Sequence, residues 1–212
     1  MTCHCHIIVF INASVWNAKI NQRNCWRIVR MTTMLKEMKK TKYGISQKKL
    51  DNFERIIQKY EGNECDEMFM KAMNEQLSKE QRFHLYETQG GCNGTGYDKQ
   101  RKAFAHENAH IPLAERIDLF AKTFGRWKPV LNDDNTLTLN FKCSHGYYKR
   151  AKEGKYTTPP ANIEAYFERC AGGRLYELQK ALGIKLRIKS VDVSPLNENV
   201  ENPVVFIFEI AD

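Results

Sequence analysis

Apolar residues recur every three or four positions through the middle of the chain, and this spacing predicts a series of amphipathic helices. The first predicted helix begins at Ser46 and ends at Gly62, and a second follows over residues 64–77. A third begins after Ser78, whose side chain is spaced to form a capping box with Gln81. The pattern therefore predicts that the chain begins its folded part with helices.

Two further helices are predicted before the pattern changes at Gly125. Residues 98–111 are predicted to form a short helix that Pro112 ends, because a proline lacks the backbone donor and clashes with the preceding turn. The next helix follows from Leu113 to Phe124, with apolar residues at core spacing.

After this point apolar and polar residues alternate, which predicts strands. Residues 127–131 and 136–143 are predicted to form a β-hairpin around the turn Asn-Asp-Asp-Asn. A long helix, opened by two prolines and closed by Gly183, comes next, and strands over 185–193 and 203–210 finish the chain. Because no βαβ alternation appears, the order predicts an α+β fold with an antiparallel sheet.

Two adjacent glycines, Gly172 and Gly173, lie in the middle of the predicted long helix. They either break it into two helices or let another part of the chain approach closely. The sequence leaves both alternatives open.

The net charge of +8 is concentrated near the N-terminus. Residues 1–44 hold eight lysines or arginines and one acid, Glu37, and so contribute +7, whereas residues 45–212 contribute +1. We therefore predict a basic N-terminal segment, 1–44, that is disordered or a mis-assigned start, followed by one α+β domain, 45–212. The hypothesis of translation from Met31 or Met34 is testable by the intact mass of protein from the native host.

Composition argues against several classes of protein. The nearly neutral body does not favour a dedicated nucleic-acid-binding face, and no stretch approaches the roughly 20 apolar residues that span a bilayer. Seven cysteines are an odd number for a disulfide framework. We therefore expect a protein of the reducing cytoplasm that binds neither nucleic acid nor membrane, and homo-oligomer formation stays open.

The stretch "AFAHENAHIPLAERI" contains His106, Glu107 and His110 in the spacing His-Glu-x-x-His. On a helix this spacing lets two imidazoles share a zinc ion beside a carboxylate that acts as a general base. Zinc also needs a third protein ligand, and Pro112 stands where an extended motif would begin. The alternative is a set of solvated side chains at a helix end.

A second group of candidate ligands follows the hairpin. Cys143 ends a strand with His145 two residues beyond it, and Cys170 lies on the long helix beside the glycines. Thiolates and an imidazole are good zinc ligands, and Cys92 can complete a set of four. The alternatives are that Cys170 is a small core residue or that one thiol is a nucleophile. Five aromatic residues nearby either line a ligand cavity or belong to the core: Tyr147, Tyr148, Tyr156, Tyr166 and Phe167.

The C-terminal stretches "FKCSHGYYKRA", "AYFERCAGGRLYELQKALGIKLRIKSVDVSPL" and "NPVVFIFEI" resemble the 4-vinyl-reductase-type domain. They are more similar still to a group of uncharacterised bacterial proteins with the same ending. The shared features are a cysteine near the start of a long helix, a glycine after it, a second glycine at the end of the helix just before a strand, and an aromatic-rich last strand. The resemblance covers residues 136–210.

This resemblance implies an α+β domain that binds small hydrophobic or aromatic ligands, sometimes with a cysteine-bound zinc. Similar C-terminal plans also occur in enzymes that resemble thiazoline-carboxylate hydrolases. Cys170 and Gly172 match the helix cysteine and glycine, and Cys143 matches a cysteine of the preceding strand. Such domains usually carry Gly-Asp-x-x-Cys before the last strand, whereas this chain has "NENVENPVV". His145 or Cys92 would therefore have to replace the missing zinc ligand.

The sequence thus predicts a domain that binds a small, apolar ligand between its sheet and its long helix, with zinc as a secondary proposal. The alternative is a hydrolase that uses zinc with His106, Glu107 and His110, or a reactive cysteine, Cys143 or Cys170. The predicted ligand-binding residues are Cys143, His145, Tyr148, Tyr166, Cys170 and Gly172, and the predicted zinc ligands are Cys143, His145, Cys170 and Cys92.

Overall fold

The computed structural model describes residues 31–89, 97–125, 127–144 and 146–211. Its helices are residues 31–38 (α1), Gln47–Lys59 (α2), Gly62–Gln76 (α3), Lys79–Gln89 (α4), Asp98–Glu107 (α5), Leu113–Phe124 (α6), Gly146–Lys152 (α7), Ile163–Leu182 (α8) and Pro195–Glu198 (α9), with a 3₁₀ turn at Thr41–Tyr43. Its strands are Val130–Leu131 (β1), Thr136–Phe141 (β2), Lys185–Asp192 (β3) and Val204–Ala211 (β4).

The strands form one antiparallel sheet in the order β1-β2-β4-β3. The predicted hairpin is β1 and β2, and Asn135 in its turn adopts a φ of 58°, a left-handed conformation that asparagine tolerates. The last strand, β4, lies between β2 and β3, so the final strand of the chain is central in the sheet. The predicted α+β fold with an antiparallel sheet is confirmed.

The long helix α8 is the centre of the fold. It packs on β3 and β4 on one side and on α3, α4, α5 and α6 on the other, so apolar side chains cover most of its circumference. The sheet presents alternate residues to this helix because side chains along a strand point to opposite faces. The buried face of the sheet includes Leu137, Leu139, Phe141, Ile188, Phe206 and Phe208.

Gly172 lets α4 and α8 approach closely, which resolves the alternatives left open by the sequence. The helix α8 continues unbroken through both glycines. A Cβ atom at Gly172 would lie 2.3 Å from the carbonyl oxygen of Tyr86 on α4. The glycine is therefore a packing residue at the contact between these two helices.

The folded core begins earlier than the predicted boundary at residue 45. The buried carboxylate of Glu37 accepts a hydrogen bond from the Tyr43 hydroxyl (2.6 Å) and contacts the ammonium groups of Lys40 and Lys42. Burial works against its ionised form, but these hydrogen bonds outweigh burial and lower the pKa of Glu37. Four residues of α1 are also buried in the core, namely Met31, Met34, Leu35 and Met38.

Residues 1–30 lie outside the described residues, so the predicted start site stays a prediction.

In the described ranges, none of the helices is both long and apolar enough to cross a membrane.

Candidate functional site

A pocket of about 570 Å³ lies between α5, α6, α8 and the segment that follows α6. Its position follows from local sequence. Gly125 ends α6 with a left-handed φ of 61°, and Trp127, two residues later, lines the pocket next to the sheet. Its aromatic lining consists of Tyr97, Phe104, Phe120, Phe124 and Trp127, and its other lining residues are Gln100, Arg101, Ala103, Glu107, Thr123 and Glu177.

Three phenylalanines form a contiguous wall of the pocket. The ring centroids of Phe104 and Phe124 are 5.5 Å apart and those of Phe120 and Phe124 are 5.2 Å apart. Phe104 also meets Phe120 edge to face at 6.4 Å. Such edge contacts favour fixed ring orientations, so this wall offers an apolar surface of defined shape.

Two buried charged residues of the lining, Arg101 of α5 and Glu177 of α8, form the floor of the pocket, and residues outside the lining bind them from behind. The Arg101 guanidinium donates to Glu177 at 2.8 Å and to Asp98 at 3.3 Å, and Arg174 pairs with the other oxygen of Glu177. The Tyr176 hydroxyl donates to Asp98, and burial together with this bond raises the pKa of Tyr176 to about 12. The floor is therefore a network in which each carboxylate is held by at least two donors.

Trp127 connects this pocket to the sheet. Its ring lies 5.0 Å from that of Phe141 on β2, and the Arg174 guanidinium lies 5.4 Å from the Trp127 ring centroid. Phe141 in turn meets Phe167 of α8 at 6.3 Å, and Phe167 meets Tyr148 at 5.7 Å. A continuous set of ring contacts therefore runs from the pocket to the site that the sequence predicted around Tyr148.

The predicted zinc motif is divided by the end of α5. The helix ends at Glu107 rather than at residue 111, because the backbone bonds beyond this point are those of tight turns, from the Ala109 N–H to the His106 carbonyl and from the Ile111 N–H to the Asn108 carbonyl. His106 is exposed on the last turn of the helix, and His110 is exposed in the turn beyond it. Glu107 alone of the three motif residues lines the pocket. The hydrolase hypothesis stays a prediction.

Cys143 and Cys170 lie near a common neighbour, Tyr148. Burial raises the pKa of the Tyr148 hydroxyl, and negative charge on Cys143 or Cys170 would raise it further. Both side chains are partly exposed. The other two predicted zinc ligands, Cys92 and His145, lie outside the described residues.

The hydroxyl of Tyr148 joins the ends of two strands. It accepts a hydrogen bond from the backbone N–H of Val204 (3.1 Å) at the start of β4, and it lies 3.0 Å from the carbonyl oxygen of Phe141 at the end of β2. Tyr166 accepts a hydrogen bond from the backbone N–H of Tyr147 (3.2 Å). These two predicted ligand-binding residues therefore serve the packing of α7 against α8 and the sheet.

Within the part of the chain that the structure describes, no group of three or more histidine, cysteine, aspartate or glutamate side chains is placed to hold a metal ion. A zinc site at Cys143 and Cys170 would need ligands from Cys92 or His145. The proposed zinc site therefore stays a prediction.

Zinc content of purified protein tests this prediction directly. If the thiols hold zinc, we expect the bound zinc to fall to background in both Cys143→Ala and Cys170→Ala, since removing one ligand of a zinc site strongly lowers affinity. The double variant His106→Ala/His110→Ala is the matched control, because its histidines are exposed and divided by the helix end. Mass spectrometry that finds zinc lost only from the histidine variant would instead support the hydrolase motif.

Most of the pocket could not be predicted from the sequence. Phe120 and Phe124 were expected only as core residues, and the charges of Arg101 and Glu177 look like those of any solvated helix face. The one sequence feature that points to the pocket is the number of aromatic residues between positions 97 and 127, five of which line it.

Comparison of the chain with protein-family models, with curated proteins and with solved structures finds no match.

Proposed function

We propose that this protein is a small-molecule-binding domain and that a largely apolar ligand occupies the pocket between α5, α6 and α8. The observation that carries the proposal is the pocket itself, in which an aromatic wall faces a small set of polar groups. Its volume of about 570 Å³ falls within the size range of small-molecule sites, and that combination of linings is typical of them.

The resemblance of the C-terminal stretch to 4-vinyl-reductase-type domains supports the same class of ligand. The proposal places the ligand beside α5, rather than around Cys143, Tyr148 and Cys170, because the polar atom of Tyr148 is already engaged by the backbone of β2 and β4. The aromatic contacts through Phe141 and Phe167 connect the two regions, so a ligand in the pocket would rest against the same core.

Blocking the pocket without disturbing the core tests the proposal. Ala103 lines the pocket but is exposed, so Ala103→Trp places a bulky side chain in the ligand space and removes no core contact. We expect the dissociation constant for 2-naphthol, used as an apolar probe, to rise at least about tenfold, which corresponds to about 1.4 kcal/mol. Isothermal titration calorimetry measures this change.

The matched control is Ala114→Trp. Ala114 is an exposed alanine on α6, outside the pocket lining, so this variant adds the same side chain to the same kind of surface. It should bind 2-naphthol like the unmodified protein. Equal affinity in all three proteins, or absence of binding to the unmodified protein, would contradict the proposal.

A further inference from the structure

The buried charges in the floor of the pocket are matched with one another. Arg101 is 5% exposed and Glu177 is 4% exposed, and they are joined by a hydrogen bond of 2.8 Å. Arg174 takes the second oxygen of Glu177, and Asp98 takes a second bond from Arg101. Two guanidinium groups thus face two carboxylates, and the floor has no surplus charge.

At the floor of the pocket, a charged ligand would therefore find no unpaired counter-ion, and the Glu107 carboxylate elsewhere in the lining is exposed, so solvent screens its charge. Transfer of an ion from water to a partly buried site is unfavourable unless a new pairing replaces its hydration. A ligand carboxylate would have to compete with Glu177 for guanidinium groups, and a ligand ammonium would have to compete with Arg101 and Arg174 for Glu177. Both exchanges break a bond that already exists.

The two most electron-rich rings of the lining, Tyr97 and Trp127, offer little to a cation as well. The Arg101 guanidinium lies 5.8 Å from the ring centroid of Tyr97, and the Arg174 guanidinium lies 5.4 Å from that of Trp127. Both distances are within the range of a cation–π contact. Each of these two rings thus already contacts a guanidinium group of the protein. The phenylalanine wall provides the apolar surface against which an uncharged aromatic ring of the ligand would pack.

The rim provides groups that suit an uncharged polar substituent. Gln100 and Thr123 are exposed residues of the lining, and their amide and hydroxyl can either donate or accept a hydrogen bond. Glu107 adds an exposed carboxylate, which disfavours an anion further. On the basis of the proposed function, we infer that the pocket selects an uncharged aromatic molecule with one hydroxyl or carbonyl substituent.

A matched series of naphthalene compounds tests this selectivity. We expect 2-naphthol to bind more tightly than 2-naphthoate and than 2-naphthylmethylammonium at pH 7, with each ion weaker by roughly tenfold or more. The three probes share the same ring and differ in the charge of one substituent. Calorimetric titration of the full chain gives the order of affinity.

Changing the charge of the floor sharpens the test. Glu177→Gln removes the carboxylate that two guanidinium groups share and leaves a surplus positive charge, so the affinity ratio of 2-naphthoate to 2-naphthol should rise roughly tenfold. Glu115→Gln is the control, because it also removes one carboxylate but at an exposed position of α6 outside the pocket lining, where solvent screens the charge. This control should leave the order of the three probes unchanged.

The outcomes separate this inference from the proposed function. If either ion binds the unmodified protein as tightly as 2-naphthol, and Ala103→Trp weakens that binding, the inferred selectivity is wrong while the pocket remains the binding site. If none of the probes binds, or Ala103→Trp weakens none of them, both proposals are wrong. The order of affinity in the unmodified protein decides the inference even where Glu177→Gln fails to fold.

Discussion

Replacing Glu168 by glutamine is expected to lower the free energy of unfolding by about 3–5 kcal/mol. Glu168 is fully buried on α8, and its two oxygens accept hydrogen bonds of 2.5 and 2.8 Å from the Arg82 guanidinium on α4. Arg82 also donates to the carbonyl oxygen of Leu77 (3.0 Å). With the carboxylate gone, a buried guanidinium would remain without its counter-ion, and this unpaired charge is the source of the cost.

The same two helices provide a matched control. Lys79 on α4 and Glu164 on α8 form an ion pair of 3.1 Å, but their side chains are 44% and 40% exposed. Glu164→Gln should therefore cost less than about 1 kcal/mol. Urea unfolding followed by circular dichroism compares the two variants, and a Glu168→Gln loss no larger than that of Glu164→Gln would contradict the prediction.

A double variant tests the cause of the loss. Arg82→Met combined with Glu168→Gln removes both charges, so neither is left buried without a partner. We expect the double variant to lose less stability than the sum of the two single variants, which is how residues in direct contact behave.

The elements of the fold were predictable where residues a few positions apart in the sequence determine them. The capping box at the start of α4 is one case, since the Ser78 N–H donates to the Gln81 side chain (3.1 Å) and the Gln81 N–H donates to the Ser78 hydroxyl (3.2 Å). Alternation in β2 likewise predicted that Leu137 and Leu139 point into the core, where both are buried. Such patterns are set by residues within a few positions of each other.

The ends and the additional elements were less predictable. The end of α5 was predicted four residues too late, because the sequence pattern does not show that the backbone bonds after Asn108 change from helical to turn bonds. The short helix α7 was not expected, and neither was the burial of α1, because residues 1–44 were predicted together as a basic segment outside the folded domain. Tertiary packing covers the apolar face of α1 and determines its place in the core.

The candidate site was predictable only in part, because it depends on contacts between distant residues. The predicted ligand set around Cys143 and Cys170 stays a prediction, since Cys92 and His145 lie outside the described residues. The pocket floor instead pairs Arg101 with Glu177, which are 76 positions apart. A single sequence shows neither that these two charges are buried nor that they meet.

Gly172→Ala is expected to lower the free energy of unfolding by about 2 kcal/mol, against the usual effect of the substitution. In an open helix interior, alanine is more favourable than glycine by about 1 kcal/mol. Here the new Cβ would lie 2.3 Å from the carbonyl oxygen and 2.8 Å from the carbonyl carbon of Tyr86. Both are backbone atoms, so no side-chain rotation relieves the overlap and α4 must move, at the cost typical of overpacking.

Movement of α4 would also stretch the buried ion pair, because Arg82 lies one turn before Tyr86 on the same helix. We therefore expect Gly172→Ala and Glu168→Gln to be non-additive, with the double variant less destabilised than the sum, since each loosens the same helix contact. Urea unfolding of the two single variants and the double variant measures this coupling. A Gly172→Ala protein as stable as the original, or more stable, would mean that α4 accommodates the methyl group and that helix propensity prevails.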